Sequence, residues 1–225
     1  SRYAWWINRL KSTLRLCDYI RLDHFRGFAG YWEVPSHLPT AEIGRWLPGP
    51  GTDFFDAVLT HIPELPIIAE DLGVITEDVT ALKEHYQFPG MKVLQFAFDR
   101  NSSNPFLPHN FTTNCVAYTG THDNDTTRGW YESLSEDDRT YVNKYIGLGG
   151  VPRSKLIYQF IREIWRSVAV FSVAPMQDFL CLGQNARMNF PGKPDGNWTW
   201  RMSDSDLDNA GVKNLLTEIN TLYNR

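Results

Sequence analysis

The amino-acid sequence predicts an α/β fold built on a parallel sheet. Short runs rich in Ile, Val and Leu alternate with segments whose apolar residues have helical spacing. These runs are continuously apolar, which is typical of strands covered by helices on both faces. A third pattern concerns chemistry, because three of the runs lead into segments that contain both carboxylates and glycine.

The first half of the chain is predicted to begin with a helix and to alternate thereafter. Its elements are a helix over 5–14, a strand over 17–22, a Gly- and Pro-rich loop over 27–51, a helix over 52–59, a strand over 66–69 and a helix over 76–83. Thr52 or Asp53 is the expected N-cap of the second helix. The loop carries Trp32 and Trp46, and we expect it to be ordered.

The second half continues the alternation. Its elements are strands over 91–98 and 115–118, helices over 126–134 and 135–146, a helix from Pro152 to Trp165, a strand over 169–173, and a helical tail after Asp206. Five strands are too few to close an eight-stranded barrel. The pattern therefore leaves two possibilities, an open doubly wound sheet or a piece of something larger.

Composition excludes some classes of function. The 225 residues carry a formal charge of −4, so we expect neither the basic face of a nucleic-acid binder nor a polybasic membrane anchor. No apolar run reaches about 18 residues, the length that a membrane span needs. Three widely spaced cysteines predict neither disulfides nor a zinc site, and we expect a cytoplasmic location. The aromatic content of 14% suits stacking on sugars but equally suits core packing.

The carboxylates indicate cleavage of a glycosidic bond, which needs two acids in different environments. Arg21 and Asp23 are two residues apart on a strand and so share a face. An ion pair there would keep Asp23 ionised, as a nucleophile requires. A plain structural ion pair is the alternative.

The other two acidic segments suit supporting roles. The apolar run before Glu70 and the adjacent Asp71 favour a protonated carboxyl, typical of a general acid. The alternative, an acid at a helix N-terminus, is our preferred interpretation of Asp71. His122 and Asp123 together could bind vicinal hydroxyls. A metal-ligand role for His122 lacks a second histidine at ligand spacing.

Seven blocks of this sequence resemble the 4-α-glucanotransferases, also called amylomaltases or disproportionating enzymes, which are related to the α-amylases. The blocks are 21–27, 69–76, 89–91, 120–127, 175–178, 186–189 and 196–198. The resemblance implies that residues 1–225 form the C-terminal part, about strands 4 to 8, of a (β/α)8-barrel catalytic domain. The N-terminal strands 1 to 3 would be absent from this chain.

The resemblance also implies roles for individual residues. Asp23 resembles the nucleophile, Glu70 the general acid/base, and Asp123 the carboxylate that favours the transition state. The residues expected to contact substrate, or to position the nucleophile, are Arg21, His24, Trp32, His122 and Asn124. For Trp32, core packing is an equal alternative. No organic cofactor and no metal is implied.

The implied activity is transfer of an α-1,4-glucan segment between maltodextrins by a retaining double displacement. Because members of the family are about twice as long, we expect this chain to need its missing half. An exposed barrel edge would favour poor stability or self-association. An α-amylase-type hydrolase and a non-catalytic glucan-binding remnant are the competing hypotheses.

Overall fold

The computed structural model of the protein describes residues 2–152 and 155–225. The chain divides into two compact units, Ser1–Met91 and Lys92–Arg225, called unit 1 and unit 2 below. Strand β5 begins in unit 1 and ends in unit 2.

Unit 1 alternates helices with short strands. Its helices are α1 (Ala4–Thr13), α2 (Gly51–Leu59) and α3 (Glu77–His85), and its strands are β1 (Ile20–Leu22), β2 (Gly30–Glu33), β3 (Arg45–Pro48), β4 (Ile67–Ala69) and the start of β5 (Gly90–Val93). These confirm the predicted helices and the predicted strands around residues 20 and 67. A 3-10 turn, Phe25–Phe28, follows β1 closely.

The strands of unit 1 that carry the acidic motifs pair in parallel. Leu22 of β1 lies opposite Ala69 of β4, and Ala69 also pairs with Gly90. Parallel strands end at the same edge of a sheet, so the residues that follow β1 and β4 emerge side by side.

The segment predicted as a loop over 27–51 contains a hairpin. Strands β2 and β3 are antiparallel, with Trp32 opposite Trp46 and their ring centroids 5.6 Å apart. The Arg26 guanidinium carbon lies 4.5 Å from the Trp46 ring centroid. Such cross-strand aromatic and cation–π contacts stabilise the hairpin. The glycines and prolines of this segment had instead indicated a loop.

The predicted N-cap of α2 was wrong. Helix α2 begins at Gly51 with Pro50 as its N-cap residue, and no side chain caps it. Gly51 has a φ of 53°, a conformation that glycine adopts without strain, and this lets the helix start before Thr52.

The core of unit 1 is aromatic. Phe25, Phe54 and Phe55 are fully buried, and the Phe25 ring stacks on Phe55 at 5.7 Å. Burying one such side chain contributes about 1.5–3 kcal/mol, so this cluster fixes the segment that follows Asp23.

Unit 2 contains most of the helices. After the end of β5 come strands β6 (Cys115–Tyr118) and β7 (Phe171–Val173), and helices α4 (Thr127–Ser133), α5 (Glu136–Ile146), α6 (Leu156–Trp165), α7 (Met176–Phe179), α8 (Asp204–Leu207) and α9 (Ala210–Tyr223). Strands β6 and β7 pair in parallel, with Val116 opposite Phe171. No helix within 2–152 or 155–225 is long and apolar enough to cross a membrane.

Several predicted boundaries in unit 2 differ from the structure, and two differ by three residues or more. The strand predicted over 91–98 ends at Val93, where the chain turns into a 3-10 helix, Leu94–Phe96. Helix α6 begins at Leu156, and the predicted helical residues 153 and 154 lie outside the described part of the chain. Helix α6 buries Phe160, Ile161 and Ile164 in the core of unit 2.

Gly90 lies where any side chain would collide with an ion pair. A Cβ atom added at Gly90 would clash with the Asp71 carboxylate and would lie 2.8 Å from Lys83 Nζ. We therefore expect Gly90→Ala to lower the free energy of unfolding by about 1–3 kcal/mol in urea titrations. Gly183→Ala is the control, because an added Cβ there meets nothing within 4 Å. Equal stability of the two variants would contradict this account of Gly90.

Candidate active site

Asp23 lies directly after β1 and is held by Arg21. Arg21 Nη1 donates to Asp23 Oδ1 at 2.7 Å, while its Nε donates to Met91 Sδ at 3.3 Å. The Asp23 side chain is 75% exposed, so the ion pair fixes its direction and leaves it accessible. The predicted pairing of Arg21 with Asp23 is present.

Glu70 follows β4 and binds the segment after Asp23 by both backbone and side chain. Glu70 Oε2 accepts from the His24 backbone N–H at 2.6 Å, and Oε1 accepts from Leu72 N–H at 3.0 Å. In the backbone, Glu70 N–H donates to Leu22 and the Glu70 carbonyl accepts from Phe25. The two predicted catalytic carboxylates of unit 1 are thus joined through one hydrogen-bonded turn.

His24 and Trp32 lie on the exposed surface of unit 1. His24 has a φ of 50°, in the left-handed region, and the neighbouring Phe25 is fully buried. The Trp32 indole N–H donates to the Ala41 carbonyl at 2.9 Å, and the side chain is 38% exposed. Their contacts with substrate stay predictions.

Asp71 has a structural environment, although not the expected one. We expected it at a helix N-terminus, but α3 begins only at Glu77. Instead, Asp71 accepts from Lys83 Nζ at 2.5 Å and from the Met91 backbone N–H at 2.7 Å. The reason is the parallel pairing of β4 with β5, which brings residue 91 beside residue 71.

In unit 2, Asp123 follows β6 and is held by a distant loop. Asn189 Nδ2 donates to Asp123 Oδ1 at 2.6 Å, and Arg187 Nη2 donates to the Asp123 carbonyl at 2.6 Å. His122 Nε2 lies 3.4 Å from Asp123 Oδ2. The predicted pair of His122 and Asp123 is present, whereas the contacts of Arg187 and Asn189 were not predicted.

His122 also has an aromatic neighbour. Its ring centroid lies 5.2 Å from the Trp198 ring at a tilt of 34°, and Trp198 is half exposed. Asn124 Oδ1 accepts from both the backbone N–H and the hydroxyl of Thr121 at 2.9 Å, so Asn124 shapes the turn that carries Asp123. Its contact with substrate stays a prediction.

A cleft of about 120 Å³ in unit 2 opens between this turn and the loop that holds it. Its wall includes His122, Asn124, Asp125, Gln177 and Arg187. Burial raises the pKa of Asp125, while the Thr126 N–H and the Arg187 charge oppose that rise. Within the described residues, no group of three or more His, Cys, Asp or Glu side chains could hold a metal ion.

Comparison with known proteins identifies the family. Residues 1–207 match glycoside hydrolase family 77, described as 4-alpha-glucanotransferase. The chain belongs to this family.

Curated relatives extend the match over nearly the whole chain. The chain is 49% identical over 225 residues to the 4-alpha-glucanotransferase of Synechocystis sp., covering 99% of this chain and 44% of that protein. The 4-alpha-glucanotransferase of Thermus thermophilus is 46% identical, and this match covers 91% of this chain and 42% of that protein. The chloroplastic/amyloplastic 4-alpha-glucanotransferase of Arabidopsis thaliana is 45% identical, and this match covers 100% of this chain and 39% of that protein. This chain therefore spans less than half the length of these relatives.

Solved structures agree with this assignment. Amylomaltase from Streptococcus agalactiae, in complex with acarbose, matches with a TM-score of 0.93 and 39% identity, covering 100% of this chain and 45% of that one. Amylomaltase from Corynebacterium glutamicum shares the fold, with a TM-score of 0.70 and 18% identity. This match covers 98% of this chain and 36% of that one. The predicted parallel α/β fold is confirmed, while the numbering of its strands within a barrel stays a prediction.

Among the 4-alpha-glucanotransferase motifs of this chain, one acid has a purely internal position. Asp178 is 1% exposed and accepts from Thr119 Oγ1 at 2.6 Å, Thr127 Oγ1 at 2.7 Å and Thr127 N–H at 2.8 Å. Thr119 and Thr127 border the turn that carries His122 and Asp123. Asp178 therefore holds both ends of that turn.

Asp178→Asn is expected to lower the free energy of unfolding by about 1–3 kcal/mol at acidic pH, because the hydroxyl of the protonated carboxyl can accept from one threonine and donate to the other, whereas the amide NH2 that replaces it accepts from neither. Burial raises the pKa of Asp178, and the bonds from both threonines oppose that rise. The unfolded chain loses this proton at about pH 4, while the folded chain still holds it. The stability of the unsubstituted protein therefore falls relative to the variant as pH rises.

Urea unfolding of both proteins from about pH 4 to about pH 8 measures this difference. We expect the gap to be largest at the acidic end and to narrow with pH. Asp195→Asn, at an exposed loop position, is the control. A gap that stays constant with pH would contradict the assignment.

Proposed function

We propose that this protein acts as a 4-α-glucanotransferase, moving an α-1,4-glucan segment from a donor maltodextrin to the 4-hydroxyl of glucose or of another maltodextrin. The observation that carries the proposal is the joined pair of Asp23 and Glu70. One carboxylate is exposed beside an arginine, and the other is bound to the turn that follows the first. Family membership and an acarbose-bound relative support a glucan as the substrate.

In the proposed first step, Asp23 attacks the anomeric carbon of the donor sugar. The C–O bond to the leaving glucan breaks as a bond to Asp23 forms, and Glu70 gives its proton to the leaving oxygen. Arg21 orients the nucleophile. In the second step, Glu70 takes the proton of an incoming 4-hydroxyl, whose oxygen displaces Asp23. Two inversions retain the α configuration.

Glu70 can carry a proton on either oxygen, because each oxygen accepts one backbone N–H and keeps a second lone pair. Both of its oxygens accept backbone N–H groups, and the bond from Leu72 to Oε1 is the longer, at 3.0 Å against 2.6 Å. We assign proton transfer to Oε1, because its longer and weaker hydrogen bond leaves it the more basic of the two oxygens. The His24 bond to Oε2 then holds the carboxyl in place through both steps.

Asp123 is proposed as the third carboxylate, on the family resemblance. Its Oδ1 is held by Asn189 and its backbone by Arg187, so its direction is set before substrate arrives. His122, flanked by the Trp198 ring, would bind hydroxyls of the same sugar as Asp123. Trp32 would offer a stacking surface to the chain that accepts the glucan, which favours transfer over hydrolysis by excluding water.

We further propose that this chain corresponds to strands 4 to 8 of a barrel and needs the remaining part of the family's domain for activity. The chain covers 39–44% of the length of the Synechocystis, Thermus and Arabidopsis relatives, which supports this proposal. Exposed apolar side chains at Val168, Val170 and Val173 would mediate self-association of the chain on its own. Cys17, Cys115 and Cys181 form no disulfide within the described residues, and we propose a reducing compartment, the cytoplasm.

The first test follows products from maltotriose. A protein that joins this chain to the preceding part of the Synechocystis relative should give glucose together with a ladder of longer maltodextrins. In that protein, Asp23→Asn should abolish turnover while glucan binding survives, and Glu70→Gln should slow turnover by about 10²–10⁴-fold. Asp18→Asn, an exposed acid outside β1, is the matched control and should have no effect.

The outcomes separate the alternatives. Glucose and short oligomers without longer products would indicate a hydrolase. Glucan binding without turnover in the unsubstituted protein would indicate a binding remnant. Full activity of Asp23→Asn would exclude Asp23 as the nucleophile.

The second test addresses the dependence on additional chain. We expect the 225-residue chain alone to be inactive and to associate in size-exclusion chromatography. Addition of the preceding part of the Synechocystis relative as a separate chain should restore transfer and reduce association. A fully active monomer of the 225-residue chain would contradict the proposed dependence.

A further inference from the structure

A second cavity in unit 2 has no described lining residue in common with the cleft at His122. It has a volume of about 350 Å³, at the lower end of the range of roughly 300–1,000 Å³ for small-molecule sites. Residues of α4, α5 and α6 and of the turn after α7 line it, namely Arg128, Tyr131, Glu132, Arg139, Leu156, Ile157 and Cys181.

Two arginines give this cavity a positive character. Arg128 is half exposed and donates to Glu132 Oε1 at 2.9 Å and to the Cys181 carbonyl at 3.2 Å. Arg139 Nη2 donates to the carbonyls of Glu132 and Leu134, near the C-terminal end of α4. Among the described lining residues, Glu132 is the one carboxylate, and their formal charge sums to +1.

The Arg139 Nε–H is a donor without an acceptor. This nitrogen is buried and has no hydrogen-bond partner among the described residues. Arg139 lines the cavity, and its guanidinium carbon lies 5.4 Å from the Tyr131 ring centroid, so its positive charge is held beside the cavity and attracts an anion bound there. An anion suits this position best, because hydrogen bonds to a charged acceptor are about twice as strong as neutral ones.

The start of α6 adds to the attraction for an anion. The first two residues of this ten-residue helix, Leu156 and Ile157, line the cavity, and the side chain of its N-cap residue, Lys155, makes no capping hydrogen bond within the described chain. Helix N-termini carry a partial positive charge and unpaired N–H groups, which favour phosphate.

We propose that this cavity binds a small phosphate monoester of the sugar phosphate class. The guanidinium groups of Arg128 and Arg139 bind the phosphate, since their planar N–H groups match its oxygens. Leu156, Ile157 and the Tyr131 ring pack against the carbon skeleton. The Glu132 carboxylate accepts hydrogen bonds from its hydroxyls. This site is separate from the proposed transfer chemistry, whose substrates are neutral glucans.

Cys181 supplies a local probe of occupancy. Its thiol lines the cavity and is half-buried, whereas Cys17 is exposed and Cys115 is buried. Burial raises the pKa of the Cys181 thiol, so alkylation by iodoacetamide should be slow and is best followed at mildly alkaline pH. Mass spectrometry of the peptide that contains Cys181, in the protein of residues 1–225, gives the rate at this residue alone.

Glucose 1-phosphate, glucose 6-phosphate, inorganic phosphate and glucose are the probes. At a concentration of ten times Kd, a bound sugar phosphate should slow alkylation of Cys181 about tenfold, because only the free protein reacts. Glucose should have no effect, and the rate at Cys17 should not change with any probe. Inorganic phosphate should protect more weakly than the sugar phosphates.

Substitution of the arginines tests the assignment. Arg128→Gln should raise the Kd for the protecting sugar phosphate about tenfold or more. Arg139 also donates to carbonyls at the end of α4, so Arg139→Gln removes those hydrogen bonds as well as the charge. Arg139→Lys, which keeps the charge, is therefore measured beside it, and thermal melting checks that each variant is folded. Arg162→Gln, which removes an arginine of α6 outside the cavity, is the control and should leave protection unchanged.

Four results would overturn the proposal. They are no protection by either sugar phosphate at millimolar concentration, equal protection by glucose, protection unaltered in folded Arg128→Gln and Arg139→Gln, and protection by inorganic phosphate as strong as by the sugar phosphates. The last would leave an anion site that does not bind the carbon skeleton.

Discussion

The parallel pairing of β1 with β4 determines where the chemistry of unit 1 can take place. Leu22 lies opposite Ala69, so Asp23 and Glu70 are the first residues after β1 and β4. Glu70 then donates its own N–H to Leu22 and accepts from His24 and Phe25. Because side chains alternate between faces, a slip of one residue would turn one carboxylate away from the other. Register, more than the identity of the acids, makes them a pair.

The aromatic core of unit 1 maintains this register, although His24 must adopt a strained backbone conformation. His24 has a left-handed backbone, which costs a residue with a side chain about 1–2 kcal/mol. The next residue, Phe25, is fully buried against Phe55, and burial of a Phe contributes about 1.5–3 kcal/mol. The burial term is the larger, so the strained turn persists. It presents the His24 N–H to Glu70 while Asp23 stays exposed.

The sequence was most informative where local pattern decides structure. Apolar runs predicted the strands before Asp23, Glu70 and Asp123, and the spacing of Arg21 and Asp23 predicted their ion pair. Arg187, Asn189 and Trp198 could not be assigned in this way, because they lie in an aperiodic loop and reach His122 and Asp123 only through tertiary structure. The family motifs around them were the one available signal.

In unit 2, the buried Asp178 and the exposed Asp123 have different roles in the turn that carries His122 and Asp123. Asp178 is buried, and a buried carboxylate is tolerated only with its hydrogen bonds satisfied, so the three donors from Thr119 and Thr127 leave it little freedom. Asp123 is exposed and is held by the neutral amide of Asn189, a partner that a sugar hydroxyl can replace at small cost. The buried acid therefore fixes the ends of the turn, and the exposed acid at its centre remains able to change partners when a substrate binds.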